Sequence, residues 1–558
     1  MDKRTVIALL LIGLIIVLYP YYVQLITGGK GVAPPKKVEQ APIDTLARQE
    51  KKEEVPLKPV GEILLAPSSV PEKKVYVENS FYKGVFSTKG GVLTSFIFKK
   101  YKYSQGGLIE IIPEDTIYPL NISFPDINLD LSQIDFAVDK DTLFLSKSHP
   151  VDSLTFSFSD EKGFFSDEKG ISIVKRFIFF EDKYDFQLQF EVSSKDKNLG
   201  RSYLLAWGSG VSPTETNLPE DLGYFEASSM MGAEVVKIKN FQQPKGSNIG
   251  KMEEFRSGET KWVATRSKYF FASLVPLSNP AIGFKAEGTR EVRYINDKKL
   301  EEKKIGVSLE MQTSRDIFQD KFMVYVGPID YHILKNYKIG LENLVDLGWK
   351  IIKPFSLAVL WIFVNLHKVI PNYGLVIIVF TILIKILFHP LTHKSVTLAQ
   401  KMQELQPKIT ALKEKYKKDP QRMNQEIMKL YKEQGANPLG GCLPLLPQMP
   451  LFYGLFVVFR STIELRGAKF IFWLSDLSQM DKYYILPVIM AVTMFWQQKM
   501  TIKDPKQMAM VYLMPVLFFF LFKSFPAGLT LYWTFYNILS LIEQYYIKSK
   551  MKPKVAIA

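Results

Sequence analysis

The chain has 558 residues, with 71 Lys and Arg against 56 Asp and Glu and a formal net charge of +15. Its length exceeds one ordinary domain, and its 47% hydrophobic content mixes a polar stretch with long apolar blocks. The single cysteine, Cys442, excludes an internal disulfide framework and any Cys-cluster metal site, and five scattered histidines leave little for metal chemistry.

Lys3 and Arg4 precede "VIALLLIGLIIVLYPYYV", about 18 uncharged residues, enough for a span and too long for a typical signal-peptide core. No small-x-small cleavage site follows closely, so residues 1–27 are expected to form an uncleaved transmembrane anchor with its basic start in the cytoplasm. Residues 28–74, rich in Pro, Glu and Lys, are expected to be a flexible linker.

From Val75 the pattern changes. "TLFLSKSHPVDSLTFSFSD" and "KRFIFFEDKYDFQLQFEVSS" alternate with a period of two, are rich in aromatic and β-branched residues, and carry Gly, Asp-Lys or Ser-Asp turns. Residues 75–330 are therefore expected to form one large all-β sandwich. Strand patterning accounts for its aromatics, so no carbohydrate site is assigned, and its carboxylates form no pair that would suggest a hydrolase.

After Pro328, "YHILKNYKIGLENLVDLGWKIIK" takes on helical periodicity, with Leu334, Ile339, Leu341, Leu344 and Leu347 roughly in phase. The apolar block Pro354–His367 is about 14 residues long and bracketed by Lys350, Lys353 and Lys368, which suits a helix lying in the membrane interface. Residues 331–370 are thus expected to be amphipathic and interfacial. Residues 371–393 are expected to be the second span, and Lys385 sits inside it. An ammonium at a helix centre costs about 2.5–3.5 kcal/mol on insertion scales, so it calls for a partner, for snorkelling or for water. His389 and His393 are four apart, but Pro390 lies between them and no nearby carboxylate is evident, so no metal site is expected.

From Leu398, the positions Leu398, Met402, Leu405, Ile409, Leu412 and Tyr416 step by 4, 3, 4, 3 and 4, a heptad seam. "KKDPQ" interrupts it, with Asp419 as N-cap and Pro420 as first helical residue. A second helix carries Met423, Ile427, Leu430 and Gln434 and stops at Gly435. Residues 394–436 are thus expected to be a helical hairpin, with Pro407 kinking its first arm. Residues 437–547 hold four further spans, Leu439–Phe459, Tyr483–Trp496, Met508–Phe522 and Ala527–Ile547, followed by a basic tail at 548–558. With six spans, the segment Lys394–Glu433 (ten Lys/Arg against five Asp/Glu), Lys499–Lys506 and the tail lysines all face the cytoplasm, in accord with the positive-inside rule. Tyr483–Trp496 and Met508–Phe522 would cover only about 21–23 Å of a core about 30 Å thick, which implies local thinning or entry of water.

"NPLGGCLPLLPQMPLFYGLF" (437–456), "DLSQMDKYYILPVIMAVTMFWQQKM" (476–500) and "FPAGLTLYWTFYN" (525–537) resemble the YidC membrane-protein insertase family, whose relatives include the mitochondrial Oxa and chloroplast Albino insertases. The resemblance covers residues 371–547 closely. The preceding anchor and sandwich look like the Gram-negative form, which implies a multi-pass inner-membrane protein with a periplasmic β-supersandwich and both termini cytoplasmic. It also implies a hydrophilic groove holding a cation, usually arginine, in the first core span. Counting back from Pro390-Leu391-Thr392 places Lys385 there; lysine keeps the charge but lacks the guanidinium fork. Thr381 matches a groove position that touches substrate. Tyr532-Trp533 matches a tyrosine pair, here with tryptophan second.

Lys385 and Thr381, one turn apart, are expected to share the groove with Gln448, Thr493, Gln497, Thr530, Tyr532, Trp533 and Asn537, with Gln498 nearby. In this scheme the short polar tail of a nascent membrane protein finds water and the cation, an attraction of about 4 kcal/mol at ~4 Å and an effective dielectric near 20. The client's apolar helix then slides into lipid. Met490, Met494, Met508, Met510 and Met514 suit a surface that fits many helices, or plain packing. Nothing in the scheme requires ATP or another cofactor, and there is no Walker-type Gly-Lys loop. Expected partners are nascent membrane proteins, the Sec translocon, anionic lipids and the ribosome, the last through the hairpin or tail; no base-reading motif points to a specific nucleic-acid sequence. Two rivals remain. An ion-coupled transporter lacks an inverted repeat and has few membrane carboxylates, Glu543 lying near a span end. A Ser-Lys protease would need Ser540 beside Lys385, and nothing in the sequence brings them together.

Overall fold

The computed structural model describes residues 71–113, 117–160, 171–194, 199–244, 246–295, 298–313, 317–435, 445–501 and 508–550. The anchor, nearly all of the linker, the first residues of the span expected from Leu439, and the tail beyond residue 550 lie outside them. The chain forms two compact units, one spanning Val55–Asp346 and the other containing Leu347–Ala558.

The first unit is a β-sandwich of a five-stranded and a fourteen-stranded sheet. The smaller sheet is an antiparallel meander of Lys74–Glu78, Tyr82–Ser87, Val92–Lys102 and Leu108–Glu110, extended by one parallel pairing of Lys74–Glu78 with Thr142–Phe144. Alternation works as the sequence suggests. In Ile171–Phe180 every second residue is buried, so one face of the strand joins the core. Phe86 of the small sheet packs among Phe156, Phe177, Phe179 and Phe186 of the large one, with ring centroids 4.8 Å apart for Phe86–Phe177. One buried position on that strand is charged. Lys175 is wholly buried and its Nζ donates to the carbonyls of Gly90 (2.7 Å) and Leu120 (3.1 Å). Gly90 has φ +78°, and a Cβ there would come within 2.9 Å of the Ser132 Cα, so glycine lets the Lys175-bound turn fit.

The helical periodicity after Pro328 does not become one continuous helix. Tyr331–Asn336 forms a six-residue α-helix and Leu341–Leu344 a single 3-10 turn. Lys338 (φ +57°) and Gly340 (φ +83°) adopt left-handed backbone between them, which ends the helical register. The apolar spacing instead reflects burial: Leu334, Leu341, Leu344 and Leu347 are all buried. Arg266, itself buried, donates to the Leu344 carbonyl and holds the turn in place.

The second unit is helical. Its elements are α1 (Lys353–Val369), α2 (Tyr373–Lys415), α3 (Pro420–Glu433), α4 (Leu445–Ser461), α5 (Ile485–Thr501), α6 (Met508–Phe522) and α7 (Ala527–Lys550). The expected span and the first hairpin arm are one 43-residue helix, which runs through both Pro390 and Pro407. Within it, Tyr373–Leu398 is long and apolar enough to cross a bilayer. The hairpin seam closes where Leu405 and Ile409 of α2 meet Ile427, Leu430 and Tyr431 of α3, and the Asp419 side chain caps α3 by accepting from Arg422 N. α5 begins at Ile485 and not Tyr483, because Tyr484 is left-handed (φ +57°) and the buried Asp481 carboxylate caps the helix from Tyr483 N and Leu486 N. It also runs on to Thr501, so its 17 residues reach about 26 Å against about 23 Å for the 15 of α6.

α1 packs on α2 and α4 through Phe363, whose ring lies 5.1 Å from Phe380 and 5.6 Å from Phe459. Gly374 and Gly528 let other segments approach. A Cβ at Gly374 would fall 1.9 Å from the Phe470 ring, and one at Gly528 within 2.6 Å of Phe459. Large apolar side chains stay exposed along α2 (Ile382, Leu383, Ile386, Leu387), α5 (Val488, Val492, Trp496) and α6 (Leu513, Val516, Phe520). A helical unit that buries polar side chains while exposing such faces is built for lipid.

Candidate functional site

The site lies between α2 and α7, which pack along each other. On α2, Thr381, Lys385 and His389 are spaced four apart and share a face. On α7, Tyr532, Tyr536, Ser540 and Glu543, at steps of 4, 4 and 3, form the facing stripe. Lys385 is its centre. Its Nζ lies 2.8 Å from Glu543 Oε2, donates to Ser540 Oγ at 2.7 Å, and stands 4.6 Å from the centroid of the Tyr536 ring. The side chains of the ion pair are 10% and 11% exposed, so both charges have left bulk water together. The second carboxylate oxygen, Glu543 Oε1, lies 2.7 Å from His389 Nδ1, and since a carboxylate only accepts, Nδ1 carries the hydrogen. The His389 side chain is 57% exposed, so the cluster runs from a buried cation to an open histidine.

Two sequence expectations are corrected here. Ser540 does sit beside Lys385, because it falls on the same α7 face as Glu543. That contact does not make a protease dyad: the ammonium is held by a carboxylate, and the Ser540 hydroxyl donates to the Tyr536 carbonyl, so neither group is set up as base or nucleophile. His389 does have a nearby carboxylate, Glu543, 154 positions away in sequence. Among the described residues no group of three potential ligands could hold a metal.

The remaining expected groove residues divide. Thr381 and Thr493 donate to carbonyls of their own helices, at Ile377 and Met490, and Thr530 to that of Pro526, the residue just before α7, so their hydroxyl protons are spent locally. Gln448 is buried on α4 and its Oε1 accepts from the Tyr536 hydroxyl at 3.2 Å, tying α4 to the cluster. Tyr532 and Asn537 are buried, and the Tyr532 hydroxyl and Asn537 Nδ2 have no protein partner. Gln497 is partly buried on α5, and the neighbouring Gln498 has a buried, unpartnered Oε1. Met490 is fully buried, as ordinary packing requires. Tyr532 and Trp533 do not form one aromatic wall. Tyr532 faces Phe380 and Tyr536, whereas Trp533 packs with Phe452, Phe518 and Phe522 on α4 and α6. Sequence reasoning did not assign Tyr536, Glu543 or His389 to the site; spacing puts Tyr536, Ser540 and Glu543 on one face of α7, but nothing local sets that face against Lys385.

An apolar helical unit with an internal ion pair, joined in one chain to a large β-sandwich, defines a class: integral membrane proteins carrying a folded domain outside the bilayer. The profile described as 60Kd inner membrane protein matches residues 365–554, and that described as YidC periplasmic domain matches residues 74–357. The membrane protein insertase YidC of Syntrophus aciditrophicus (strain SB) is 34% identical over 581 residues, covering 99% of this chain and 100% of that protein. The one of Pelodictyon phaeoclathratiforme (strain DSM 5477 / BU-1) is 32% identical over 571 residues, covering 98% and 94%. A crystal structure of an active YidC insertase with its first transmembrane domain resolved aligns over 86% of this chain and 93% of that one, at 20% identity and a TM-score of 0.38. The chain belongs to the YidC family of inner-membrane protein insertases, which are not enzymes.

Proposed function

We propose that this insertase works by admitting the short polar tail of a nascent membrane protein between α2 and α7, toward Lys385, while the client's apolar segment moves sideways into lipid. The observation that carries this reading is Lys385 itself: a cation buried on a bilayer-length helix, with the unpartnered Tyr532 hydroxyl and Asn537 amide on the facing helix. Such groups are costly in lipid and are retained where a polar path is needed. In this scheme Lys385, Thr381, Gln448, Thr493, Gln497, Thr530, Tyr532 and Asn537 line the path, and Trp533 supports it from the α4–α6 side. The polar path shortens the apolar crossing, and the hydrophobic effect drives release.

The proposed topology has six spans: the N-terminal anchor, α2, α4, α5, α6 and α7, with α1 in the interface. The positive-inside rule then puts the hairpin and both termini in the cytoplasm and the sandwich in the periplasm. The domain bounds proposed from the sequence, with a linker at 28–74 and a basic tail at 548–558, fit that arrangement. The basic hairpin suits anionic lipid or a ribosome, and the insertase is proposed to act either independently of the Sec translocon or together with it. The test is rescue of cells depleted of their own insertase. Lys385→Arg is expected to restore insertion of acid-tailed clients and Lys385→Glu to abolish it; equal rescue by both removes the cation from the mechanism.

A further inference from the structure

The cation proposed to meet the client is already occupied. Glu543 holds it through one oxygen at 2.8 Å and faces His389 through the other at 2.7 Å. A second α7 oxygen, from Ser540, takes another Lys385 hydrogen at 2.7 Å. An incoming carboxylate therefore meets a lysine whose nearest counter-charge is fixed to the neighbouring helix and present at high effective concentration.

We propose that Glu543 is an internal stand-in for the client's acidic tail, displaced from Lys385 when a tail binds and then retained by His389, so that the pair selects which tails are admitted. This rests on the groove reading above. The geometry suits an exchange rather than a fixed strut. Displacing a buried carboxylate with nothing to receive it would strand a charge. Here His389 lies one helical turn from Lys385, on the exposed side, already in contact with the oxygen that Lys385 does not use. Glu543 can release one partner and keep the other. Tyr536 ends up beside whichever carboxylate holds the cation, with its hydroxyl anchored on Gln448. Segments with two closely spaced carboxylates compete with Glu543 better than segments with one. Neutral polar tails do not compete for the cation at all.

The experiment uses the full-length protein in liposomes and a set of single-span model clients whose tails carry no, one or two aspartates. The readout is insertion of each acidic tail divided by insertion of the neutral one. The native protein is expected to favour the two-aspartate tail over the one-aspartate tail. Glu543→Gln is expected to raise the one-aspartate ratio by about ten-fold, the order gained by removing a tethered competitor, and to erase the preference for two. His389→Gln is expected to lower both acidic ratios several-fold. An unchanged or lower ratio in Glu543→Gln overturns the proposal, and a rise there without a fall in His389→Gln overturns the hand-over to histidine. Should Glu543→Gln fail to assemble, Glu543→Asp, with the same charge on a shorter arm, is expected to shift the ratio upward by less; no shift counts against the proposal. Failure of the native protein to insert any tail would reject the groove reading instead.

Discussion

Tyr532 and Trp533 are consecutive on α7 and serve different sides of it. The tyrosine packs toward Phe380 of α2, and the tryptophan ring lies 5.0 Å from Phe452 of α4 and 5.6 Å from Phe522 of α6. A helix turns by about 100° per residue, so neighbours in sequence cannot share a narrow stripe. The two residues therefore carry separate tasks, and substitutions separate them. Trp533→Ala is expected to cost about 3–5 kcal/mol of stability, the range for deleting a packed large aromatic, seen as a lower thermal midpoint in detergent. Tyr532→Phe deletes a hydroxyl that has no protein partner and is expected to change stability by less than about 1 kcal/mol.

Lys385 and Glu543 should behave as a unit. Removing one partner of a buried pair leaves an uncompensated charge, a loss of about 3–5 kcal/mol, whereas removing both can be nearly neutral. Lys385→Met and Glu543→Met are each expected to lower the thermal midpoint more than the double substitution does. Additive losses would mean that the two side chains do not interact.

In the sandwich, Lys175 sets a pH dependence. Burial pushes its ammonium down to about 7, against the opposing pull of the Asp130 charge. The unfolded chain keeps that proton to about pH 10.4. Between those values the unfolded state binds more protons, so stability rises with pH across the window, by up to about 4–5 kcal/mol, and the full penalty is present below pH ~7. Pulse proteolysis of the full chain between about pH 7 and pH 10 should show the sandwich becoming more resistant, and Lys175→Met should flatten that slope.

Gly374→Ala is expected to unseat Phe470, because a Cβ there falls 1.9 Å from the ring. Overpacking of this kind costs about 1–3 kcal/mol. Adding Phe470→Leu should recover most of the lost midpoint; no recovery would place the strain elsewhere.

Some of this architecture was legible in the sequence and some was not, for physical reasons. The alternation in Ile171–Phe180 predicts a strand with one buried face because side-chain direction in a strand is fixed by period alone. The hairpin was legible for the same local reason, down to the Asp419 cap. The break at Lys338–Gly340 was not, since leucine spacing records burial and says nothing about a left-handed residue between two turns. Lys385 could be placed because the resemblance to the family, counted back from Pro390-Leu391-Thr392, implies a cation at that position. Its partners could not: Glu543 and Ser540 meet it only through the packing of α7 on α2, which no local pattern encodes.

The most direct measurement is site-specific photocrosslinking of a stalled, acid-tailed nascent client to the full-length insertase, with the probe at Thr381 or Tyr536 beside the Lys385 pair, and at Trp361 on the exposed face of α1. The expected result is an adduct from the tail to positions 381 and 536, weakened by Lys385→Glu. Adducts confined to position 361, or equal at all three and indifferent to the charge at 385, would contradict a path between α2 and α7.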